Sequence, residues 1–152
     1  LYLGASHGYT PSFVSDMVGA SGFVFCIDIA PRVVRDLVFV CEQRENMLPI
    51  LESANHPELY KNVVPEVDAV FQDISQKNQV EIFLKNCNMF LKQGGFGILA
   101  VKSRSVDVSR NPNDIFFEVR KEIEKSMQLV DSKRLDPFEK DHILFVFCFY
   151  GI

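Results

Sequence analysis

No two cysteines in this chain have the spacing of a metal or redox site. Cys26, Cys41, Cys87 and Cys148 stand far apart, with no C-x-x-C among them, inside segments that read as strands or helices. Scattered thiols of this kind argue against a zinc centre and against disulfides, and predict reduced core cysteines of an intracellular protein. No apolar run is long enough to cross a bilayer, and the first residues lack the basic region of a signal peptide. No membrane partner is expected. An excess of basic residues is missing too: 16 Lys and Arg against 20 Asp and Glu leave a formal net charge of −4. Bulk electrostatics therefore do not suffice to hold a nucleic acid, and an RNA partner would need something else to bring it. No repeat, linker or low-complexity stretch interrupts the 152 residues, so the chain is expected to be one domain, 1–152.

What is present is an alternation of strands and helices. "LYL" runs into a turn holding Gly4 and Gly8, after which Thr10 is placed to cap a helix beginning at Pro11. Its apolar residues Phe13, Val14, Met17 and Val18 fall on one side. "GFVFCIDI" reads as a buried strand, and Pro31 to Glu42 as a helix, because Val33, Val34, Leu37, Val38 and Cys41 recur at helical spacing. "MLPIL" is a short strand whose Pro49 points to a bulge or an edge. "VDAVFQD" is a strand, Asn78 to Phe90 a helix, and Gly94 and Gly95 introduce the strand "FGILAVKS". Pro112 to Lys125 is a helix with Ile115, Phe116, Val119 and Ile123 facing inward. "MQLVDSKRL" and "HILFVFCFY" follow with no helix between them. This order predicts an α/β fold: a mostly parallel sheet covered on both faces, finished by an antiparallel hairpin.

In such a sheet a ligand lies beyond the carboxyl ends of the strands. Gly4 to Gly8 follow the first strand, Asp28 ends the second, Glu52 and Ser53 end the third, Asp73 the fourth and Lys102 the fifth. A glycine-punctuated turn lets a ligand approach the backbone, and N–H groups at a helix start favour polar or negative atoms. Asp28 is placed to accept hydrogen bonds from the two hydroxyls of a ribose. A nucleoside cofactor follows from this, but not which one. Gly4 and Gly8 are separated by three residues with no glycine between them, so the G-x-G-x-x-G pattern of NAD sites is absent.

The stretches "LYLGASHGYTPS", "IDIAPRVVRDL", "ENMLPIL", "VFQDISQKNQ", "FLKQGGFGILAVKSRSVD" and "DPFEKDH" resemble, in order, the successive motifs of the fibrillarin family. Its members are S-adenosylmethionine-dependent RNA ribose 2′-O-methyltransferases of box C/D ribonucleoproteins acting on rRNA or tRNA. "QDISQ", "VKSRS" and "EKDH" are particular to that family, and "APR" and "KSRS" are similar to its archaeal members. The resemblance implies a Rossmann-like class I methyltransferase fold with a seven-stranded sheet. It also implies that Gly4, Ala5, Gly8 and Thr10 line the methionine end of S-adenosylmethionine, that Asp28 holds its ribose, and that Ser53 and Ala54 stand where the adenine is read. Asp73 and Gln76 would lie beside the methyl group, and Asp73, Lys102 and His142 would form the catalytic set around the acceptor ribose.

The resemblance carries partners as well: a Nop-domain scaffold protein, a box C/D guide RNA with its substrate RNA, and a kink-turn-binding ribosomal-type protein. The expected location is cytoplasmic for an archaeal-like member and nucleolar for a eukaryotic one. The family's first catalytic lysine and its small β-rich N-terminal domain would lie ahead of Leu1, outside this sequence. Where the family usually has aspartate followed by alanine, this chain has Ser53 and Ala54. His7 and Tyr9 replace small residues in the glycine turn and are expected to crowd the methionine end. These departures leave a second reading open, a noncatalytic docking subunit with weakened cofactor binding. Lys102 is expected to lower the pKa of Asp73, making it a weak base that works through orientation and electrostatics. Arg104, Arg110 and Lys133 are candidates to meet RNA phosphates, although isolated surface bases usually meet water.

Overall fold

The computed structural model describes residues 1–150. The elements run β1 (Tyr2–Leu3), α1 (Tyr9–Val18), β2 (Val24–Asp28), α2 (Pro31–Glu42), β3 (Met47–Leu51), a 3-10 turn at Pro57–Leu59, β4 (Val67–Gln72), α3 (Gln79–Phe90), β5 (Leu91–Lys102), α4 (Ser103–Val106), α5 (Pro112–Ile123), β6 (Met127–Arg134) and β7 (His142–Phe149). The seven strands are ordered β3-β2-β1-β4-β5-β7-β6. The chain divides into two compact units, the first from Leu1 to Pro65 and the second from Glu66 onward.

In the first unit three short strands pair in parallel, β1 on β2 and β2 on β3. β2 buries Val24, Cys26 and Ile27, as its apolar run requires. Pro49 lies in β3, the edge strand, where its missing N–H breaks no ladder on the outer side. α2 starts at Pro31, whose fixed φ suits the first helical position, and buries Val34, Leu37 and Cys41.

α1 departs from expectation. It begins at Tyr9, and Gly8 caps it in the left-handed region with φ +89° and no side-chain bond, so Thr10 is not the cap. A Cβ added at Gly8 would stand 2.9 Å from Leu37 Cδ1, so both packing and conformation demand glycine there. The side of α1 that packs inward carries Pro11 and Ser15, and its bulky residues are left outside: Phe13 and Met17 are 66% and 84% exposed.

The end of α1 is tied down by Asn46. Its side chain donates to the carbonyls of Ser15 and Gly19, both at 3.0 Å, and accepts from Ser15 Oγ at 2.6 Å. Terminal helix carbonyls have no partner within the helix, so Asn46→Ala is expected to cost about 1–3 kcal/mol of stability in chemical denaturation. An unchanged midpoint would show that water replaces these bonds without loss.

In the second unit β4 pairs in parallel with β5, while β5–β7 and β6–β7 are antiparallel. The expected C-terminal hairpin is therefore present. Gly94 and Gly95 lie within β5 rather than ahead of it. The ladder slips there, from Val67↔Leu91 to Ala69↔Phe96, and Gly94 takes φ +76° to absorb the extra residues. α3 buries Ile82, Phe83 and Cys87, and α5 buries the four predicted residues Ile115, Phe116, Val119 and Ile123. Fully burying such a side chain is worth roughly 1.5–3 kcal/mol. β5 stops at Lys102, one residue short of expectation, because Ser103 turns away to bond Asp141. All four cysteines are buried and free. Burial pushes the Cys26 thiol up to about 12 and raises those of Cys41 and Cys87. Among the described residues no helix is long and apolar enough to cross a membrane.

Candidate functional site

The glycine turn of the first unit is built on β2. Ile27 C=O accepts from both Gly4 N–H (2.9 Å) and Ala5 N–H (3.0 Å), and Ala5 C=O accepts from Gly8 N–H at 3.0 Å. Asp28 closes the arrangement: one carboxylate oxygen accepts from Ser6 N–H at 2.8 Å, the other from Ala30 N–H at 2.9 Å. Ser6 is held at φ +49°, a conformation that needs such an anchor. The early N–H groups of the turn are thus consumed by the protein. Donors for a ligand fall at the start of α1, where helical N–H groups have no acceptor within the helix.

Asp28 is more than the ligand residue the sequence suggests, since it also holds the turn in shape. An ionised carboxylate has about four lone-pair sites, and two N–H groups leave room for hydroxyl donors. Ala5 and Ala54 are buried. Ser53 Oγ accepts from Asn55 N–H at 3.3 Å, and Glu52 N–H donates to Asp28 C=O at 3.1 Å. His7 bonds Ser6 Oγ at 3.1 Å and lies 3.7 Å from Asp36. Tyr9 is 75% exposed.

The second unit gathers Asp73, Lys102 and His142. Lys102 and His142 are direct partners across the antiparallel β5–β7 ladder, which places their side chains on one face about 5 Å apart at Cβ. Asp73 follows β4 directly and interacts electrostatically with both. Its pKa is raised. Desolvation by the surrounding protein is the largest cause, helped by Glu139 and opposed by His142 and Lys102. The carboxylate remains in reach of solvent, yet enough protein mass surrounds it to penalise its charge. This overturns the expectation that Lys102 makes Asp73 a weak base: the lysine's pull is present but smaller than the cost of desolvation.

His142 donates from Nδ1 to Lys140 C=O at 2.8 Å. A carbonyl only accepts, so Nδ1 carries the proton and in the neutral ring Nε2 keeps its lone pair. His142 is placed by its neighbour Asp141 together with Ser103 and Arg104. Asp141 sits at φ +60°. Its carbonyl accepts from Ser103 N–H (3.1 Å) and Ser103 Oγ (3.2 Å), and its carboxylate pairs with Arg104 Nε at 2.9 Å. Arg104 also donates to Val108 C=O at 2.7 Å. Ser103 is fully buried. Arg104 is therefore a structural clamp, and Arg110 pairs with Glu118 at 2.6 Å. The signal for these residues was their place inside "VKSRS" and "EKDH". Gln76 C=O accepts from Gln79 N–H at 3.3 Å, and Gln72 Nε2 donates to Gln79 C=O at 2.7 Å, which ties the Asp73–Gln76 loop to α3.

A strand order of this kind with an antiparallel C-terminal pair, a glycine turn after the first strand and an acid ending the second defines a Rossmann-like class I S-adenosylmethionine-dependent methyltransferase fold. Residues 1–150 match the sequence profile of the Fibrillarin family, and the chain belongs to that family. The fibrillarin-like rRNA/tRNA 2′-O-methyltransferase of Methanocaldococcus jannaschii is 48% identical over 147 residues, which make up 96% of this chain and 64% of that protein. The chain thus spans under two thirds of the length of that relative. Among solved structures, Aeropyrum pernix fibrillarin with natively bound S-adenosyl-L-methionine superposes with a TM-score of 0.87 at 37% identity, covering 96% of this chain and 64% of that one. A fibrillarin/Nop5p complex gives a TM-score of 0.95 at 35% identity, covering 98% and 71%.

Proposed function

We propose that this chain is the methyltransferase domain of an RNA ribose 2′-O-methyltransferase that uses S-adenosylmethionine and acts on rRNA or tRNA. The carrying observation is the Asp73 carboxylate of raised pKa in the electrostatic reach of the paired Lys102 and His142. The bound cofactor would supply a methyl group on a cationic sulfur. Gly4, Ala5, Gly8, Thr10, Asp28, Ser53, Ala54 and Gln76 would hold it, and the donor set fits, with a carboxylate for ribose hydroxyls and N–H groups for polar atoms.

The chain's own residues align the acceptor and manage its proton. Alignment of two reactants is worth ~7–11 kcal/mol of barrier. Asp73, more basic than an ordinary aspartate, accepts the 2′-hydroxyl proton. Lys102 stabilises oxyanion character on the ribose, and His142 Nε2 binds the acceptor or relays the proton. The acidic overall balance fits delivery of the RNA by a particle. In this reading a Nop-domain scaffold, a box C/D guide RNA and a kink-turn-binding protein bring the target, in archaeal cytoplasm or a eukaryotic nucleolus. The Nop5p seen with a relative supports the scaffold.

Calorimetric titration with S-adenosylmethionine tests the reading. Binding is expected, and Ser53→Asp should tighten it about tenfold by adding a charge-assisted acceptor for the adenine amino group. No heat, even with Ser53→Asp, would overturn the catalytic reading in favour of a noncatalytic docking subunit.

A further inference from the structure

Four residues before His142 stands Phe138, which at 93% exposure is the most exposed large apolar side chain among the described residues. The turn presenting it is well built. Phe138 N–H and Glu139 N–H both donate to Leu135 C=O, at 2.9 and 3.0 Å, and Leu135 N–H donates to His142 C=O at 3.1 Å. Arg134 bridges to Asp136 at 3.2 Å, and Asp141 is fixed by Ser103 and Arg104. A structured turn that holds a phenyl ring in water loses burial a core position would have given it.

The charges around the ring are informative. Asp136, Asp141 and Glu139 each face a cationic or protonatable group, namely Arg134, Arg104 and His142. Lys133 and Lys140 have no carboxylate within ion-pair distance among the described residues, which leaves both ammonium groups open to a phosphate, while Asp131 on the same hairpin bonds only Ser132 N–H. Glu139, next to Phe138, is near enough to Asp73 to raise its pKa, which places the turn at the rim of the site. A protein-docking patch would offer contiguous apolar neighbours. Along the turn Phe138 is flanked by Asp136, Pro137, Glu139 and Lys140, and an exposed ring close in sequence to an ammonium matches a nucleotide, with a π-face for the base and a cation for the phosphate.

We infer that Phe138 is a stacking platform for a base of the single-stranded RNA next to the ribose presented to Asp73, with Lys140 meeting its phosphate. The inference rests on the RNA methyltransferase reading above. It also explains how a chain of net charge −4 holds RNA at its site: stacking needs no positive surface, and each stacked base contributes appreciable affinity.

The test uses the full-length protein in a guide-programmed particle. Phe138→Leu should raise KM for the target RNA roughly five- to hundredfold, with the loss falling on KM rather than kcat. Phe138→Trp should keep wild-type KM, and calorimetry should show S-adenosylmethionine binding intact in both. A target RNA carrying 2-aminopurine beside the target ribose reads stacking without turnover: its fluorescence should be quenched by wild type and Phe138→Trp and recover with Phe138→Leu. An unchanged KM and quench in Phe138→Leu, or a tryptophan variant as poor as leucine, overturns the platform. Quenching that depends on Phe138 in a particle that transfers no methyl group would uphold the platform and remove the catalytic reading.

Discussion

Asp73→Asn is expected to lower kcat for methyl transfer by roughly 10²–10⁴, the usual worth of a general base. Asparagine keeps the shape and a carbonyl acceptor but cannot take a proton, so the loss isolates basicity from positioning. Two further readouts follow from the raised pKa of Asp73. In the wild-type pH profile the acid limb should lie above the ordinary aspartate range, because a carboxyl in the proposed role of proton acceptor must be deprotonated. It should disappear in the variant. A carboxyl whose folded pKa is raised binds its proton more tightly in the native state, so the stability it contributes is present at low pH and is lost as pH rises through the folded value. At neutral pH the ionised Asp73 is therefore a liability, and Asp73→Asn should raise the melting temperature while removing activity. Wild-type turnover in Asp73→Asn would remove the mechanism. A melting temperature that falls would mean the carboxylate is stabilised rather than penalised in the fold.

Most of the architecture was legible in the sequence because its signals are local. α2 and α5 each open on a proline and repeat apolar residues at helical spacing, and "HILFVFCFY" follows "MQLVDSKRL" with no helical segment between. α1 was misread at its start, since Thr10 has the chemistry of a cap but Gly8 alone fits the left-handed turn against Leu37. Gly94 looked like a strand opener because a bulge inside a long strand has the same signature as a turn before a shorter one. At the site, Asp73, Lys102 and His142 were found through motifs. Ser103, Arg104 and Asp141 lie inside "VKSRS" and "EKDH", but their role in placing His142 was not legible, because it runs partly through the carbonyls of Asp141 and Val108, which no residue type announces. The sign of the Asp73 shift was out of reach for a different reason. Lys102 is visible as a letter, whereas the desolvation that outweighs it is a sum over residues distant in sequence.

Asp28→Ala is the other change of large expected effect, and it acts on two levels. The carboxylate bonds Ser6 N–H at 2.8 Å and Ala30 N–H at 2.9 Å. Its removal leaves the strained Ser6 unanchored and should cost about 1–3 kcal/mol of stability. It also removes the acceptor proposed for the cofactor's ribose, so affinity for S-adenosylmethionine should fall a hundredfold or more, as expected when a pair of charge-assisted hydrogen bonds is lost. Asp28→Asn separates the levels. Its carbonyl still accepts one N–H, so the melting temperature should recover part of the loss. Cofactor affinity should stay low, because the amide donates where a ribose hydroxyl needs an acceptor. Affinity that recovers in step with stability would make Asp28 only a brace for the glycine turn. Wild-type affinity in Asp28→Ala would move the ribose site away from the end of β2 altogether.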